Sequence, residues 1–369
     1  MKSLTIALVA MFAVSILSAH AETPVTPGEV SGMWTEEASP YIIQGDITVL
    51  AGKLLKIMPG VTVQFAGSYS LTVNGTLEAG ERQAAQVKQK EDDKRTVHFT
   101  TDPAMNPAGW GGLRFIRAND EGYLFGCVIE NARAPGQGGG IYCEASELKV
   151  ANCEIRNCEA TAEGGGIAVI GKSKLDLANI SLKNNTAGNR GGGLFAQDSE
   201  VNLANVSVER NRGGGLAVKN GQINLANCSI SNNTGAEQGG GIYAENSQVN
   251  LANASISGNS NGGIACLEGC ELSIANSSIR KNTDAAHGGG IYLVSSTLGM
   301  TNASVNDNAT GGIFARKCGI SMMNCSVHEK KAYALDHNEE TRLKVVNCSI
   351  DGTVIDGTIH GTTRSGRTY

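Results

Sequence analysis

Apolar and polar residues alternate along most of this chain, and the alternation returns at a near-constant interval. One copy of the repeat contains Gly239–Tyr243, then Val249–Asn253, then Ile256 and Asn259. The residue corresponding to Asn253 recurs as Asn152, Asn179, Asn205, Asn227, Asn253, Asn276, Asn302, Asn324 and Asn347. The steps between neighbouring copies are 27, 26, 22, 26, 23, 26, 22 and 23 residues. A period in this range predicts a solenoid, in which each repeat is one coil.

The pattern inside each repeat predicts three short β-strands. Apolar residues alternate, as at Ile141 and Cys143 and again at Leu148 and Val150, and no run has helical spacing. The glycine runs interrupt each coil at one place, because glycine permits positive φ and close backbone approach. The recurring asparagine interrupts it at another, because asparagine tolerates the left-handed conformation. Each repeat is therefore expected to form one coil of three strands.

Stacked coils place equivalent side chains over one another, about 4.8 Å apart. An asparagine amide both donates and accepts hydrogen bonds, so the recurring asparagines are expected to form a ladder along the stack. A second asparagine ladder is predicted six residues later, at Asn185, Asn211, Asn233, Asn259, Asn282 and Asn308. Loss of a ladder amide such as Asn253 is expected to leave buried partners unsatisfied. Two ladders beside an apolar stack predict a parallel β-helix.

The Gly-Gly-Gly-Ile and Asn-x-x-Ile-x-x-Asn segments resemble right-handed parallel β-helix proteins of the pectin-lyase-like kind, over roughly residues 40–360. They are also similar to the tandem repeats of bacterial polymorphic outer-membrane proteins and related surface adhesins. Repeat and resemblance together predict an all-β fold: a single-stranded right-handed parallel β-helix (solenoid) of about 12 coils with an irregular N-terminal cap. The resemblance is specific for fold and says little about function.

The chain begins with the pattern of a secretory signal peptide over residues 1–21. Lys2 precedes an apolar run from Leu4 to Leu17, and Ser18–Ala21 ends in an Ala-x-Ala cleavage site. The run is too short for a membrane anchor, and no later segment is apolar enough to span a membrane. The protein is therefore expected to be exported, either to the periplasm or to the outside of the cell.

The remaining chain divides by composition into four parts. Residues 22–40 are expected to be irregular, residues 41–130 to form the first coils, residues 131–353 to form the regular repeats, and residues 354–369 to be a tail. The segment 81–95 is dense in Glu, Asp, Lys and Arg and predicts a solvated loop. A partner-binding role for that loop is the alternative.

Composition and charge narrow the function classes. Glycine contributes 48 of 369 residues and aromatics only 5%, which is unsuited to a large globular core but fits a narrow coil. The formal net charge of −5 gives no basic face, so nucleic-acid binding is not expected. Neither a metal nor an organic cofactor is predicted, because no cysteine pair with zinc-ligand spacing and no calcium-binding carboxylate cluster is present.

Ten cysteines in an exported chain raise the question of disulfides. Several fall at positions predicted to point inward, one residue after the first asparagine ladder: Cys127, Cys153, Cys228, Cys325 and Cys348. Buried thiols acting as small apolar side chains are the favoured interpretation. Disulfides between adjacent coils, Cys127–Cys153 and Cys325–Cys348, remain the alternative, because the coil spacing suits disulfide geometry.

Candidate catalytic residues are few. Polygalacturonase-like members of the family use an Asn-Thr-Asp motif, which the resemblance places at Asn282–Asp284, with His287 just beyond. Asn282 is already explained as a ladder residue, and no coil offers a second carboxylate in register with Asp284, as glycoside hydrolysis would need. The last coil replaces the glycine run with His328–Lys331 and Asp336–Glu340. A polar terminal cap is the favoured interpretation of that coil, with a metal or catalytic site as the alternative.

An aromatic column is the candidate binding site. The residue after each glycine-run aliphatic is expected to point outward, and aromatics alternate with alanine over most of this column: Tyr142, Ala168, Phe195, Ala217, Tyr243, Ala265, Tyr292 and Phe314. The aromatics are the predicted binding residues, since a row of exposed rings suits an extended glycan. The alternative is that Tyr and Phe simply cover a strand face.

Two functional hypotheses follow. The first is an exported, non-enzymatic β-helix protein that contacts a polysaccharide or a cell-surface protein along a strand face. The second is a polysaccharide lyase or glycoside hydrolase, with its site near Asp284 and His287 or in the last coil. Two outward carboxylates within about 10 Å beside a groove would favour the hydrolase.

Overall fold

A computed structural model describes residues 22–81, 96–101, 106–118, 122–235, 238–356, 359–363 and 367–368. The predicted signal peptide and nearly all of the charged segment 81–95 lie outside the described residues. Within the described part, β-strands form the coils, and the one helical turn is a 3-10 turn at Glu36–Ala38. Each coil contributes one strand to each of three parallel sheets, which we call sheets I, II and III.

Sheet I contains 13 parallel strands in chain order. They are Gly32–Trp34, Leu54–Ile57, Thr76–Ala79, Gly122–Phe125, Glu147–Ala151, Lys174–Ala178, Glu200–Ala204, Gln222–Ala226, Gln248–Ala252, Glu271–Ala275, Thr297–Thr301, Gly319–Met323 and Arg342–Val346. Without its first and last strands, which lie in the less regular ends, this sheet gives 11 regular coils, close to the predicted stack of about 12.

Sheet II follows sheet I in each regular coil. Its strands are Thr23–Val25, Tyr41–Ile43, Thr62–Phe65, Val97–Thr100, Cys127–Glu130, Glu154–Arg156, Ser181–Lys183, Ser207–Glu209, Ser229–Ser231, Ser255–Ser257, Ser278–Arg280 and Ser304–Asn306. Sheet III comes next, with Gly28–Glu29, Ile47–Val49, Leu71–Val73, Leu113–Ile116, Ile141–Glu144, Ile167–Ile170, Leu194–Gln197, Leu216–Lys219, Ile242–Glu245, Ile264–Leu267, Ile291–Val294 and Ile313–Arg316.

The C-terminal end joins sheets II and III. The long strands Ser326–His337 and Ser349–Asp356 run through both sheets, and Ile359–Thr363 and Arg367–Thr368 pair antiparallel with the second of them. A small three-stranded sheet lies between sheets II and III along the chain, and its strands are Arg133–Ala134, Glu159–Ala160 and Thr186–Ala187.

The register of the strands places equivalent side chains over one another, as predicted. Asn202 pairs with Asn224, which pairs with Asn250, and the flanking residues keep the same alignment. The recurring asparagines take left-handed φ values near those of Asn227 (56°) and Asn253 (55°), which turns the chain from sheet I into sheet II. The predicted parallel β-helix is therefore confirmed.

The core is a narrow stack of aliphatic side chains. Inward positions such as Ile230, Ile256 and Ile279 are fully buried, and each lies directly over the next. All ten cysteines are buried and free, so they pack as small apolar side chains. The alternative disulfides do not form. In each proposed pair, the thiol of the later cysteine accepts a hydrogen bond from the backbone N–H of the earlier one, and Cys153 Sγ accepts from the Cys127 N–H at 3.2 Å.

Both asparagine ladders are present, but they differ in burial. In the first, Asn205 Nδ2 donates to Asn179 Oδ1 at 3.1 Å and Asn253 Nδ2 to Asn227 Oδ1 at 3.1 Å, and these side chains are exposed. In the second, Asn233 is fully buried. The expectation of buried partners at Asn253 is therefore wrong, because this turn faces solvent; it applies to the second ladder.

The two ends of the solenoid close differently. Residues 22–40, expected to be irregular, contain three short strands of the first coil, and the Trp34 ring stacks on Tyr41 at 4.5 Å between centroids. At the other end, Glu329 terminates the buried ladder: its two oxygens accept hydrogen bonds from Asn308 Nδ2 at 3.0 Å and from the Asn308 N–H at 2.8 Å. The predicted polar terminal cap is therefore built on a carboxylate in place of the next amide.

Candidate functional site

The aromatic column on sheet III has the predicted register. Cross-strand pairing links Tyr142, Ala168, Phe195, Ala217, Tyr243, Ala265, Tyr292 and Phe314 in one file on the outer side of the sheet. Tyr292 and Phe314 lie on adjacent coils and stack in parallel with centroids 5.1 Å apart. The strand positions thus bring all five predicted binding residues onto one face.

The rings are less accessible than the sequence suggested. Phe195, Tyr243 and Phe314 are only 7%, 9% and 8% exposed, while Tyr142 and Tyr292 are half-buried. Phe195 and Tyr243 pack with Ala217 and Ala265 in a small apolar cluster outside the main core. The rings therefore point outward, as predicted, but side chains and turns beside sheet III cover much of their surface.

Cationic side chains account for part of this cover. The guanidinium of Arg190 lies 4.0 Å from the centroid of Tyr243, and that of Arg114 lies 4.3 Å from the centroid of Tyr142. The hydroxyl of Tyr142 also donates to Glu144 Oε2 at 3.0 Å. Burial, helped by the hydrogen bond to Glu144, raises the pKa of Tyr142 to about 12, so this phenol stays protonated at neutral pH.

Asp284 and His287 have separate contacts. The carboxylate of Asp284 accepts a hydrogen bond from Thr283 Oγ1 at 2.7 Å and is exposed. The His287 ring instead stacks on Phe314 with centroids 4.9 Å apart. Asn282, the first residue of the motif, is fully buried in the second ladder, where it accepts from Asn259 Nδ2 at 3.0 Å. The candidate residues therefore have three different roles: Asn282 belongs to the buried ladder, Asp284 to an exposed turn and His287 to an aromatic stack.

Sheet I carries a groove that the sequence reasoning did not identify. Its volume is about 850 Å³, and it runs along the outer face of the strands from Glu147–Ala151 to Thr297–Thr301. Two rows of outward side chains form its floor. The first, the amide row, is Asp176, Asn202, Asn224, Asn250 and Ser273; the second, the alanine row, is Ala151, Ala178, Ala204, Ala226, Ala252 and Ala275.

Hydrogen bonds fix the amide row. Asn224 Nδ2 donates to Asn202 Oδ1 and Asn250 Nδ2 donates to Asn224 Oδ1, both at 2.8 Å. The row is anchored at one end by Asp176, whose Oδ1 accepts from Asn202 Nδ2 at 2.8 Å. The sequence signal was present in the Val-Asn-Leu-Ala-Asn segment. Its first asparagine alternates with inward residues and therefore has to point outward.

A pair of carboxylates lies at the Asp176 end of the groove. Asn202 Nδ2 is 2.8 Å from Asp176 Oδ1 and 3.1 Å from Glu200 Oε1. Because both oxygens bind one nitrogen, Asp176 Oδ1 and Glu200 Oε1 are less than about 6 Å apart, which is closer to the roughly 5–5.5 Å of a retaining glycosidase pair than to the wider spacing of an inverting pair. The two acids occupy adjacent coils and different rows, so the repeat alignment of the sequence does not pair them.

The last coil brings charged groups together, but mainly in pairs. His328 Nδ1 lies 2.8 Å from Asp351 Oδ2, and Arg316 Nη2 lies 2.7 Å from the buried Asp336 Oδ1. Burial raises the pKa of Glu329 to about 7. Among the described residues, no three His, Cys, Asp or Glu side chains are grouped as a metal ion would require. No helix in the described part is long and apolar enough to cross a membrane.

The chain belongs to the family of right-handed β-helix proteins. The family described as "Right handed beta helix region" matches residues 110–238 and 218–366, which together cover most of the solenoid. The right-handed winding expected from the general bias of parallel crossovers is thereby supported.

Individual proteins are similar over shorter stretches or more loosely. A segment of 67 residues is 39% identical to Protein bark beetle of Drosophila melanogaster, which is 18% of this chain and 2% of that protein. Two solved structures from Azotobacter vinelandii also show similarity to this chain. The A-module of mannuronan C-5 epimerase AlgE6 is 13% identical with a TM-score of 0.37, covering 92% of this chain and 91% of its own. The A-module of AlgE4 is 11% identical with a TM-score of 0.39, covering 91% of each chain.

Proposed function

We propose that this protein is an exported, non-enzymatic binding protein that holds an extended polysaccharide along the outer face of sheet I. The observation that carries the proposal is the amide row, in which Asn202, Asn224 and Asn250 repeat one hydrogen-bonding group per coil over a groove of about 850 Å³. A repeating surface suits a repeating ligand. A single small molecule would use only one or two of these positions.

Export is proposed from the pattern of residues 1–21, in which a basic start, an apolar run and Ala-x-Ala follow in order. An exported location would bring the groove into contact with cell-wall or environmental polysaccharides. The aromatic column on sheet III remains a second predicted contact, for which the half-buried Tyr142 and Tyr292 offer the accessible ring surface.

A polysaccharide-cleaving enzyme is the second candidate, and one observation favours it. Asp176 lines one end of the groove and Glu200 borders it, and their oxygens are less than about 6 Å apart, near the spacing of the acid and the nucleophile in retaining glycosidases. In this proposal one carboxyl group would protonate the leaving oxygen. The other would attack the sugar carbon, and water would then release the sugar from that carboxylate. The candidate at Asp284 and His287 lacks such a pair.

The experiment compares binding with turnover on one protein. Mature chain is incubated with a panel of neutral and uronate polysaccharides, and both retention on the immobilised polymer and release of reducing or unsaturated ends are measured. We expect retention without product. Steady product formation that is abolished by Asp176→Asn and by Glu200→Gln would replace the binding proposal by the enzyme. Retention that survives Asn224→Leu would remove the groove as the binding site.

A further inference from the structure

We infer that the polysaccharide held on sheet I is electrically neutral: an unbranched glycan that presents hydroxyl groups, in contrast to a polyuronate. The inference rests on the proposed function, because it names the ligand class of the same groove. It depends on the hydrogen-bonding state of the amides, on the charges around them and on the alanine row beside them.

The amides of the groove keep both donors and acceptors that a ligand can use. A primary amide has two N–H donors and an oxygen with two lone pairs. For Asn224, one donor goes to Asn202 and one lone pair accepts from Asn250, both at 2.8 Å. Asn224 Oδ1 also accepts from Gln222 Nε2 at 3.2 Å, and Asn202 Nδ2 donates to both Asp176 and Glu200. The row therefore keeps one donor on each of Asn224 and Asn250, and lone pairs on Asn202 and Asn250, for a ligand. A sugar hydroxyl both donates and accepts, so it can use both, whereas a carboxylate can use only the donor and would face the amide oxygen.

The charges of the groove do not favour an anionic polymer. Among the described lining residues, the charged side chains are Lys149 and Asp176, and both lie at one end. From Asn202 to Thr301 the lining side chains are uncharged. A polyuronate carries one negative charge per residue, and its recognition needs complementary cations along its length.

A third row of outward side chains lies on the side of the amide row opposite the alanine row, and it adds negative charge. It continues in register through Lys174, Glu200, Gln222, Gln248 and Glu271, so acidic side chains border both ends of the uncharged centre. A polyanion laid along the groove would therefore meet Glu200 and Glu271 without a cation between them in this row. A neutral chain meets the amides of Gln222 and Gln248 at no electrostatic cost.

The alanine row completes the match. Ala204 and Ala226 are exposed, and Ala178, Ala252 and Ala275 are half-buried, so their methyl groups form a continuous strip beside the amides. The carbon-bound hydrogens of a sugar ring can cover such a strip while its hydroxyls reach the amide row. The strip spans six coils at about 4.8 Å per coil, so the ligand must be extended.

The test uses the full mature chain and three variants. Cellohexaose, xylohexaose and mannohexaose are compared with hexagalacturonate by isothermal titration calorimetry at low ionic strength, where charge effects are strongest. We expect at least one neutral hexasaccharide to bind and hexagalacturonate not to bind. Asn224→Leu should weaken neutral binding by about tenfold, because it removes a free donor and the oxygen that holds the Asn250 and Gln222 amides in place. Asn189→Leu is the matched control, since Asn189 is exposed at the corner between sheets II and III.

The outcomes separate the inference from the proposed function. Tighter binding of hexagalacturonate than of any neutral hexasaccharide would overturn the inference and leave a polysaccharide-binding groove. Absence of binding to all four ligands and to their parent polymers would overturn both. The third variant, Asn224→Lys, should lose neutral binding and gain hexagalacturonate binding. Neutral binding equal to that of the parent in this folded variant would also overturn the inference. Circular dichroism establishes that each variant is folded.

Discussion

At the scale of single residues, asparagine serves two purposes that differ in what surrounds the amide. Asn253 turns the chain at φ 55° on an exposed corner, where water can replace its partners. Asn233 is fully buried, donates to the Val208 carbonyl and to Asn259 Oδ1 at 3.0 Å each, and accepts from Asn211. The cost of losing the side chain should therefore depend on the ladder to which it belongs.

Replacing Asn233 by alanine should destabilise the fold by roughly 1–3 kcal/mol or more, because several buried partners lose their hydrogen bonds. Asn253→Gly is the matched control: glycine accepts the positive φ, and the lost partners are exposed, so the cost should stay below about 1 kcal/mol. Urea unfolding followed by circular dichroism measures both. Equal losses in the two variants would contradict the assignment of the buried ladder as the stabilising one.

Glu329 predicts a pH dependence of stability. Burial raises its pKa to about 7, above the value near 4.3 of an unfolded glutamate. Between about pH 4.3 and pH 7, the Glu329 carboxyl group therefore holds a proton in the folded state that it releases in the unfolded chain. This contribution to stability is present below the unfolded pKa and is lost as pH rises through about 7.

Thermal unfolding of the parent and of Glu329→Gln at pH 5 and pH 8 tests this. The parent should lose on the order of 1–3 kcal/mol between the two values from this group, and the variant should lose less. The glutamine oxygen can still accept from Asn308 Nδ2, which keeps the end of the ladder in place. A parent and variant with the same pH slope would show that Glu329 does not titrate in this range.

At the scale of the strand and turn, the glycine runs let one coil lie against the next. Gly240 has no side chain, and its carbonyl accepts a hydrogen bond from the Gly215 N–H of the preceding coil at 2.9 Å. A methyl group on Gly240 would overlap the carbonyl oxygen of Ser260 in the following coil. The glycine is therefore required by close backbone approach, since its φ is not in the left-handed region.

Gly240→Ala should cost about 1–3 kcal/mol or more, because backbone cannot move aside as a flexible side chain would. Gly136→Ala is the control, since a methyl group there meets nothing within 4 Å. Thermal melts of the two variants should differ by several degrees. If Gly240→Ala melts with the parent, the coils have more freedom at this turn than the structure indicates.

The same scale explains which features the sequence could predict. Strands, ladders and the file of Tyr243, Ala265 and Tyr292 follow from local alternation and from the repeat length, so they were predictable. The cover over the aromatic column was not, because it depends on where Arg190 in a turn comes to lie relative to Tyr243, two coils further along. The outward amides of the groove also follow from the sequence, because Asn250 alternates with the inward residues Val249 and Leu251.

At the scale of the whole molecule, the solenoid is a stack of similar units with contacts mainly between neighbours. The carboxylate pair of Asp176 and Glu200 arises only at this scale, because it joins two rows from adjacent coils through Asn202. A binding surface made in this way grows with the number of coils. The length of the groove, and with it the affinity for a long ligand, should therefore change in steps of one coil.

Removal of one coil tests this additivity. Deleting residues 228–253 removes 26 residues and joins Asn227 to Ala254, so the ladder turn is preserved with alanine in place of Cys228. Because each coil contacts mainly its neighbours, we expect a folded protein with an unchanged β-sheet circular dichroism spectrum and reduced stability. The groove loses Asn250, so affinity for a polysaccharide should fall while affinity for a short oligosaccharide falls less.

Deleting only residues 228–240 is the control. It removes half a coil with Asn233 and should prevent cooperative folding, because the following strands can no longer keep their register. A half-coil deletion as stable as the full-coil deletion would contradict the ladder as the element that sets the register.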